Sequence, residues 1–351
     1  MVSREQVLEA LGRVMDPELG RSLTELGMVK GVHIEGGRVR VGVALTVPGC
    51  PLRNKIRGDV VAEVGRLPGV EEVEVDLSAM TDAERETLAE RLRHDMARPT
   101  GIMSPASRTR VIAVGSGKGG VGKSTVTVNL AAAVAAAGRA VGLLDADIYG
   151  FSIPHLLGIN GTPQAENGKI APLESHGMKV MSIGFFLPED QPVIWRGPLL
   201  VRALQQMLQD VEWGDPEFLF IDLPPGTGDI PLSVTQMLPR SALVLVTTPQ
   251  PASVQVASRA GAFARRADQE ILGVVENMSC FVCPGCGRRS YVFGRGGGEE
   301  LARHLGVPFL GEIPLTAEIR AGSDLGRPVA IYEPDSEAGR AFAAIARRFS
   351  V

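Results

Sequence analysis

Apolar positions along the first 95 residues follow a helical and an alternating period by turns. Val7, Leu8, Leu11 and Val14 recur at helical spacing behind Ser3 and Gln6, which are spaced as a capping box, and Asp16-Pro17-Glu18 ends the helix this predicts. Val29–Ile34 and Arg38–Val47 read as strands joined at Gly36-Gly37, and the alternation Val39, Val41, Val43, Leu45 gives the second strand one buried face. After Val47-Pro48-Gly49-Cys50-Pro51 a helix is expected towards Leu67, then a strand through Val70, Val73 and Val75. A second capping box, Thr81 with Glu84, opens a helix to about Arg93. Residues 1–95 thus form a small α+β unit. Residues 96–108 hold Pro99 and Pro105 and no apolar period; they read as a linker, or as an ordered extension packed on one domain.

From residue 109 to 351 strands and helices alternate, which predicts an α/β domain with a doubly wound, mostly parallel sheet. The expected strands are Val111–Val114, Ala140–Leu144, Phe218–Ile221, Leu243–Thr247, Leu272–Val275 and Phe309–Ile313. Most are continuous apolar runs, as strands covered on both faces should be. Near the end Phe342, Ile345 and Phe349 share a helical stripe beside Arg347 and Arg348. So short and weakly basic a segment suits a core-packing helix better than a membrane-surface one.

Composition narrows the classes. An apolar fraction of 44% in 351 residues suffices for a sizeable core. With 36 basic against 40 acidic side chains the net charge is −4, so no nucleic-acid partner is expected. The longest apolar run, Leu130–Ala137, is far shorter than the roughly 18 residues of a membrane span, so no membrane partner is expected either. The opening residues lack the layout of a secretory leader, and the expected compartment is the cytoplasm. The chain has four cysteines, Cys50, Cys280, Cys283 and Cys286. The close grouping of the last three points to metal or redox chemistry rather than a disulfide framework.

Gly117-Lys118-Gly119-Gly120-Val121-Gly122-Lys123-Ser124, with Thr125 beside it, fits G-x-x-x-x-G-K-[ST] between a strand and a helix. Glycines let backbone N–H groups curl around phosphate oxygens, and the helix N-terminus adds positive potential. Lys123 is expected to reach the β/γ-phosphates and Ser124 to ligate Mg²⁺. The second lysine, Lys118, makes the loop resemble the deviant Walker A ATPases, which include MinD, ParA and the nitrogenase iron protein. That resemblance implies that Lys118 reaches across a dimer to the partner's nucleotide. It also implies that Asp147 positions the attacking water and that Asp145 supports Mg²⁺ or the loop lysine. Asp222 ends a Walker B strand and is expected to hold Mg²⁺ through water. Pro224-Pro225-Gly226-Thr227-Gly228-Asp229 is similar to that group's second switch. Asn277 stands where such ATPases hydrogen-bond adenine, its amide offering donor and acceptor together; a capping role is the alternative.

Cys280-Phe281-Val282-Cys283-Pro284-Gly285-Cys286 sets two thiolates on one tight turn. A tetrahedral or cubane site normally takes four. Two chains at a two-fold axis would supply Cys283 and Cys286 twice. A bridging [4Fe–4S] cluster, a structural zinc and thiol exchange all remain open, since the spacing serves iron and zinc alike. Cys280 is a spare ligand or an inert neighbour. Cys50, near a predicted helix N-terminus, is a transient iron ligand or a buried structural thiol.

These residues, with Val274-Val275-Glu276-Asn277-Met278-Ser279, Trp195-Arg196-Gly197-Pro198, Asp222–Asp229 and Gly311-Glu312-Ile313-Pro314-Leu315, resemble the Mrp/ApbC family of iron–sulfur cluster carriers over roughly residues 108 to 351. Residues 1–95 resemble the SufT/PaaD-like domain often fused ahead of it. The resemblance implies a slow ATP hydrolase using ATP and Mg²⁺. It further implies a homodimer that binds a [4Fe–4S] cluster and passes it between scaffold proteins and apo iron–sulfur proteins. Two other readings compete. One is a MinD/ParA-like positioning ATPase with a structural zinc at the dimer interface, although that class does not itself need C-x-x-C. The nitrogenase iron protein places its cluster cysteines far apart in sequence.

Overall fold

The computed structural model describes residues 2–16, 21–45, 53–81, 83–84, 88, 101–148, 150–166, 168–186 and 197–349. The chain divides into two units, Met1–Arg98 and Pro99–Val351.

In the first unit the helix Arg4–Leu11 opens on the expected capping box, both of its reciprocal bonds being formed by Ser3 and Gln6. β1 (Val29–Glu35) pairs antiparallel with β2 (Arg38–Leu45), and β2 pairs parallel with β3 (Glu72–Ala79) beyond the helix Arg53–Gly65. Val39, Val41 and Val43 are fully buried and share a core with Leu11, Ile56, Val60 and Val64. The second box also forms: the Thr81 N–H donates to Glu84 Oε2 at 2.8 Å and the Glu84 N–H to Thr81 Oγ1 at 3.3 Å. β2 is described as far as Leu45; the rest of the expected strand, to Val47, and Cys50 lie outside the described residues.

The second unit begins with a 3₁₀ turn, Gly101–Met103, whose Ile102 and Met103 are buried in that unit's own core. Its strands are β4 (Arg110–Ser116), β5 (Val141–Asp145), the hairpin β6 (Ala165–Glu166) and β7 (Lys169–Ile170), β8 (Leu173–Ser175), β9 (Met178–Ser182), β10 (Phe218–Asp222), β11 (Ala242–Thr247), β12 (Glu270–Val282), β13 (Arg289–Ser290) and β14 (Phe309–Leu315). The main sheet runs β8-β9-β5-β10-β4-β11-β12, with β13 and β14 both on β12; β8–β9 and β12–β13 pair antiparallel and the other pairs are parallel. β5, β10 and β11 are buried along their whole length, which accounts for their unbroken apolar sequences.

All six expected strands form. The hairpin β8–β9 escapes the sequence reading because its strands are short and Lys179 interrupts one of them. His176 and Gly177 make its turn, both with positive φ (51° and 76°), where the usual sequence signal is Asn-Gly. The last helix, Glu337–Ala346, buries Phe342 and Ile345, with Phe349 buried just after it, so that stripe packs into the core. Among the described residues no helix is long and apolar enough to cross a membrane.

Topology fixes where a ligand can sit. After β4 the chain crosses to β5, β10 later inserts between them, and β11 adds on the other side of β4, so the loop after β4 opens at a switch point on the sheet's C-terminal edge.

Candidate functional site

The register of the sheet brings the site's acids abreast. Asp222 pairs with Val114 of β4 and with Asp145 of β5, and Asp145 pairs with Ser182 of β9. The loop Gly117–Gly122 rises from β4 and feeds the helix Lys123–Ala136. Two glycines are demanded by space. A Cβ on Gly117 would lie 2.3 Å from the Ala257 nitrogen, and one on Gly122, whose φ is +78°, would lie 2.3 Å from Asn277 Nδ2.

Lys123 is 7% exposed, and its ammonium lies 2.7 Å from Asp222 Oδ2 and 3.7 Å from Asp147 Oδ2. Ser124 Oγ donates to the same Asp222 oxygen at 2.5 Å, while Thr127 Oγ1 lies 2.7 Å from Asp222 Oδ1. Lys123, Ser124 and Thr127 thus converge on the one carboxylate of Asp222. Thr127 was not singled out from sequence; its one signal is its position a helical turn beyond Lys123.

Asp145, which ends β5, and Asp147, just after it, differ in surroundings. The Asp145 carboxylate accepts from the N–H groups of Asp147, Ser152 and Ile153 and from Ser182 Oγ, each at 3.2 Å. Burial, with the Asp222 charge close by, pushes its carboxyl up to about 7. Asp145 therefore anchors the start of the helix Ile153–Leu157. Its hydrogen bonds go to this loop and to Ser182, which carries no sequence signal of its own. Asp147 faces Lys123, and burial raises its carboxyl as well. The Lys118 ammonium makes no hydrogen bond or ion pair among the described residues.

Asn277 is nearly buried and donates from Nδ2 to the Val121 carbonyl of the loop at 2.9 Å. The next residue, Met278, takes a left-handed φ of 56°. The same strand then carries Cys280, and the turn after it carries Cys283 and Cys286. Cys280 is 3% exposed, Cys283 half-buried and Cys286 exposed, and all three thiols are free. The Cys283 N–H donates to Arg288 O and the Gly287 N–H to Cys283 O, closing a tight turn between the end of β12 and β13. Backbone N–H groups of Gly285 and Cys286, then the Cys286 thiol, point at the Cys283 sulfur and lower its pKa, favouring thiolate. Among the described residues no three His, Cys, Asp or Glu side chains are grouped to hold a metal.

Comparison with known proteins covers both units. The family described as NUBPL iron-transfer P-loop NTPase matches residues 107–350, and the one described as iron-sulfur cluster assembly protein matches residues 4–76. The iron-sulfur cluster carrier protein of Mycobacterium leprae is 50% identical over 351 aligned positions, covering 98% of this chain and 91% of that protein. Its counterpart in Bacillus subtilis is 43% identical over 317 positions, 90% of this chain and 89% of that one. Among solved structures, a nucleotide-binding protein of Archaeoglobus fulgidus in complex with ADP is 44% identical with a TM-score of 0.57, over 64% of this chain and 89% of that one. The cell division ATPase MinD of Pyrococcus furiosus, 24% identical with a TM-score of 0.53 over 69% of this chain and 98% of its own, shares the fold.

Proposed function

The chain belongs to the family of iron–sulfur cluster carrier P-loop NTPases, and from that premise we propose that it binds and slowly hydrolyses ATP in the cytoplasm while a homodimer holds a [4Fe–4S] cluster for transfer to apo-proteins. The observation that carries the cluster reading is the ligand count. The Cys283–Cys286 turn presents two thiols, one of them favoured as thiolate, and no third donor joins them among the described residues. Four ligands then require two copies of the turn. Cys280, buried in β12, stands outside this set. Cys50 is proposed as a transient iron ligand of the first unit.

The nucleotide half follows from charge. The loop's glycines leave room for phosphate oxygens beside the N–H groups of the helix Lys123–Ala136. Lys123, now on Asp222, would exchange it for the β/γ-phosphates, and Ser124 and Asp222 would hold Mg²⁺, whose charge would offset that of the phosphates. Asp147, at the mouth of the same cluster, orients the attacking water, and Lys118 serves the partner's nucleotide across the dimer. Asn277 turns its amide from Val121 to the base.

Anaerobic reconstitution with iron and sulfide, followed by sedimentation and iron analysis of one sample, tests the cluster. The expected result is a dimer with about 4 Fe per two chains. A cluster-loaded monomer, or zinc bound in place of iron, would refute the bridging model.

A further inference from the structure

We propose that Thr127 is a positioning residue that fixes the orientation of Asp222 once nucleotide and a divalent cation are bound. The argument rests on the ATP–Mg²⁺ half of the reading above and is independent of the cluster.

Thr127 is fully buried in the helix Lys123–Ala136. Its hydroxyl lies 2.7 Å from Asp222 Oδ1 and 2.9 Å from the Lys123 carbonyl. Both neighbours are acceptors and the hydroxyl has one proton. A carboxylate oxygen is a stronger acceptor than a peptide carbonyl, so the hydroxyl donates to Asp222 Oδ1. The two carboxylate oxygens are therefore used differently. Oδ2 takes the Lys123 ammonium at 2.7 Å and the Ser124 hydroxyl at 2.5 Å; Oδ1 takes Thr127.

Loading the site redistributes these donors. With nucleotide and a cation bound, Lys123 would turn to phosphate and Ser124 to the cation, leaving Asp222 Oδ2 without those two donors. Thr127 has no such second duty, because its side chain sits inside the helix–sheet contact. Of the three side-chain donors to Asp222 among the described residues, it alone stays in place. The terminal torsion of an aspartate is broad and two-fold, so a carboxylate without that bond is free to turn. Loss of Thr127 removes one donor of three before loading and the last one after it. Its effect is consequently concentrated in the cation-bound state.

An ordinary buried helical threonine bonds back to the carbonyl four residues earlier and contributes to stability alone. Such a residue would not alter the dependence on cation. The test is Mg²⁺ titration of ATP binding by the full-length protein, with ATP binding in EDTA measured alongside, for Thr127→Val and Thr127→Ser. In Thr127→Val the Mg²⁺ concentration for half-maximal effect should rise about tenfold, the scale of one hydrogen bond to a charged acceptor. ATP affinity in EDTA should stay within about twofold, and Thr127→Ser should restore the Mg²⁺ response. If Thr127→Val does not fold, Thr127→Ala carries the same expectation. An unchanged Mg²⁺ response, or an equal loss of ATP affinity with and without Mg²⁺, would overturn the proposal. A wild-type protein that binds no ATP would instead overturn the nucleotide reading beneath it. Because binding is the readout, slow turnover does not blur the two results.

Discussion

Lys123 neutralises buried carboxylates in the ligand-free protein, so its replacement should cost stability as well as nucleotide binding. In Lys123→Met the stem is kept and the ammonium lost. Asp222 is then fully buried without its cation and Asp147 loses its facing charge. Removing one partner of a buried pair costs about 3–5 kcal/mol. The hydroxyls of Ser124 and Thr127 still donate to Asp222, which puts the expected loss at the lower end, about 3 kcal/mol. For a unit of this size that lowers Tm by roughly 6–12 °C. Adding Asp222→Asn should recover most of the loss, because removing both charges of a buried pair is often nearly neutral. Thermal unfolding in EDTA, for the single and double variants, measures all of this. A Lys123→Met protein melting within about 2 °C of wild type would refute the reasoning. So would a double variant no more stable than the single.

Further outcomes follow from the same geometry. The Asp145 carboxyl, raised to about 7 by burial, binds its proton more tightly in the folded chain than in the unfolded one. Stability should therefore fall as pH rises from about 4 through about 7, and Asp145→Asn should flatten part of that fall in melts across pH. Gly122→Ala places a Cβ 2.3 Å from Asn277 Nδ2 at a φ of +78°, so melts should show a loss of about 1–3 kcal/mol, with weakened ATP binding in a titration. Cys283→Ser should abolish stable iron binding after reconstitution, whereas Cys280→Ser, altering a buried thiol, should reduce it only in part; full iron content in Cys283→Ser would exclude bridging ligation.

Local patterns were legible wherever chemistry and backbone conformation are dictated by neighbours in sequence. Gly117–Ser124 names its own function because the glycines and the lysine all belong to one turn. The capping boxes at Ser3 and Thr81 are likewise closed between residues three apart. The buried strands could be read from their unbroken apolar runs. The strand β9 was not legible, since five residues with a lysine among them carry too little pattern, and its turn uses an unusual residue pair.

The sequence by itself determined that a phosphate loop follows a buried strand, that Asp145 and Asp222 each stand at the end of an apolar strand, and that Cys283 and Cys286 share one turn. Those facts depend on spacing, and spacing survives without a fold. Tertiary structure decided which of these residues meet. The register of β5 with β10 set Asp145 beside Asp222, and β9 brought Ser182 to Asp145. The path of β12 carried Asn277, 156 positions away from Val121, onto the loop's backbone. Asp145 and Asp147 were separated in the same way: one is wrapped by four donors and fixes a loop, while the other faces the lysine. Their environments come from segments distant in sequence, and a pairing made by chain crossings leaves no periodic trace along the chain.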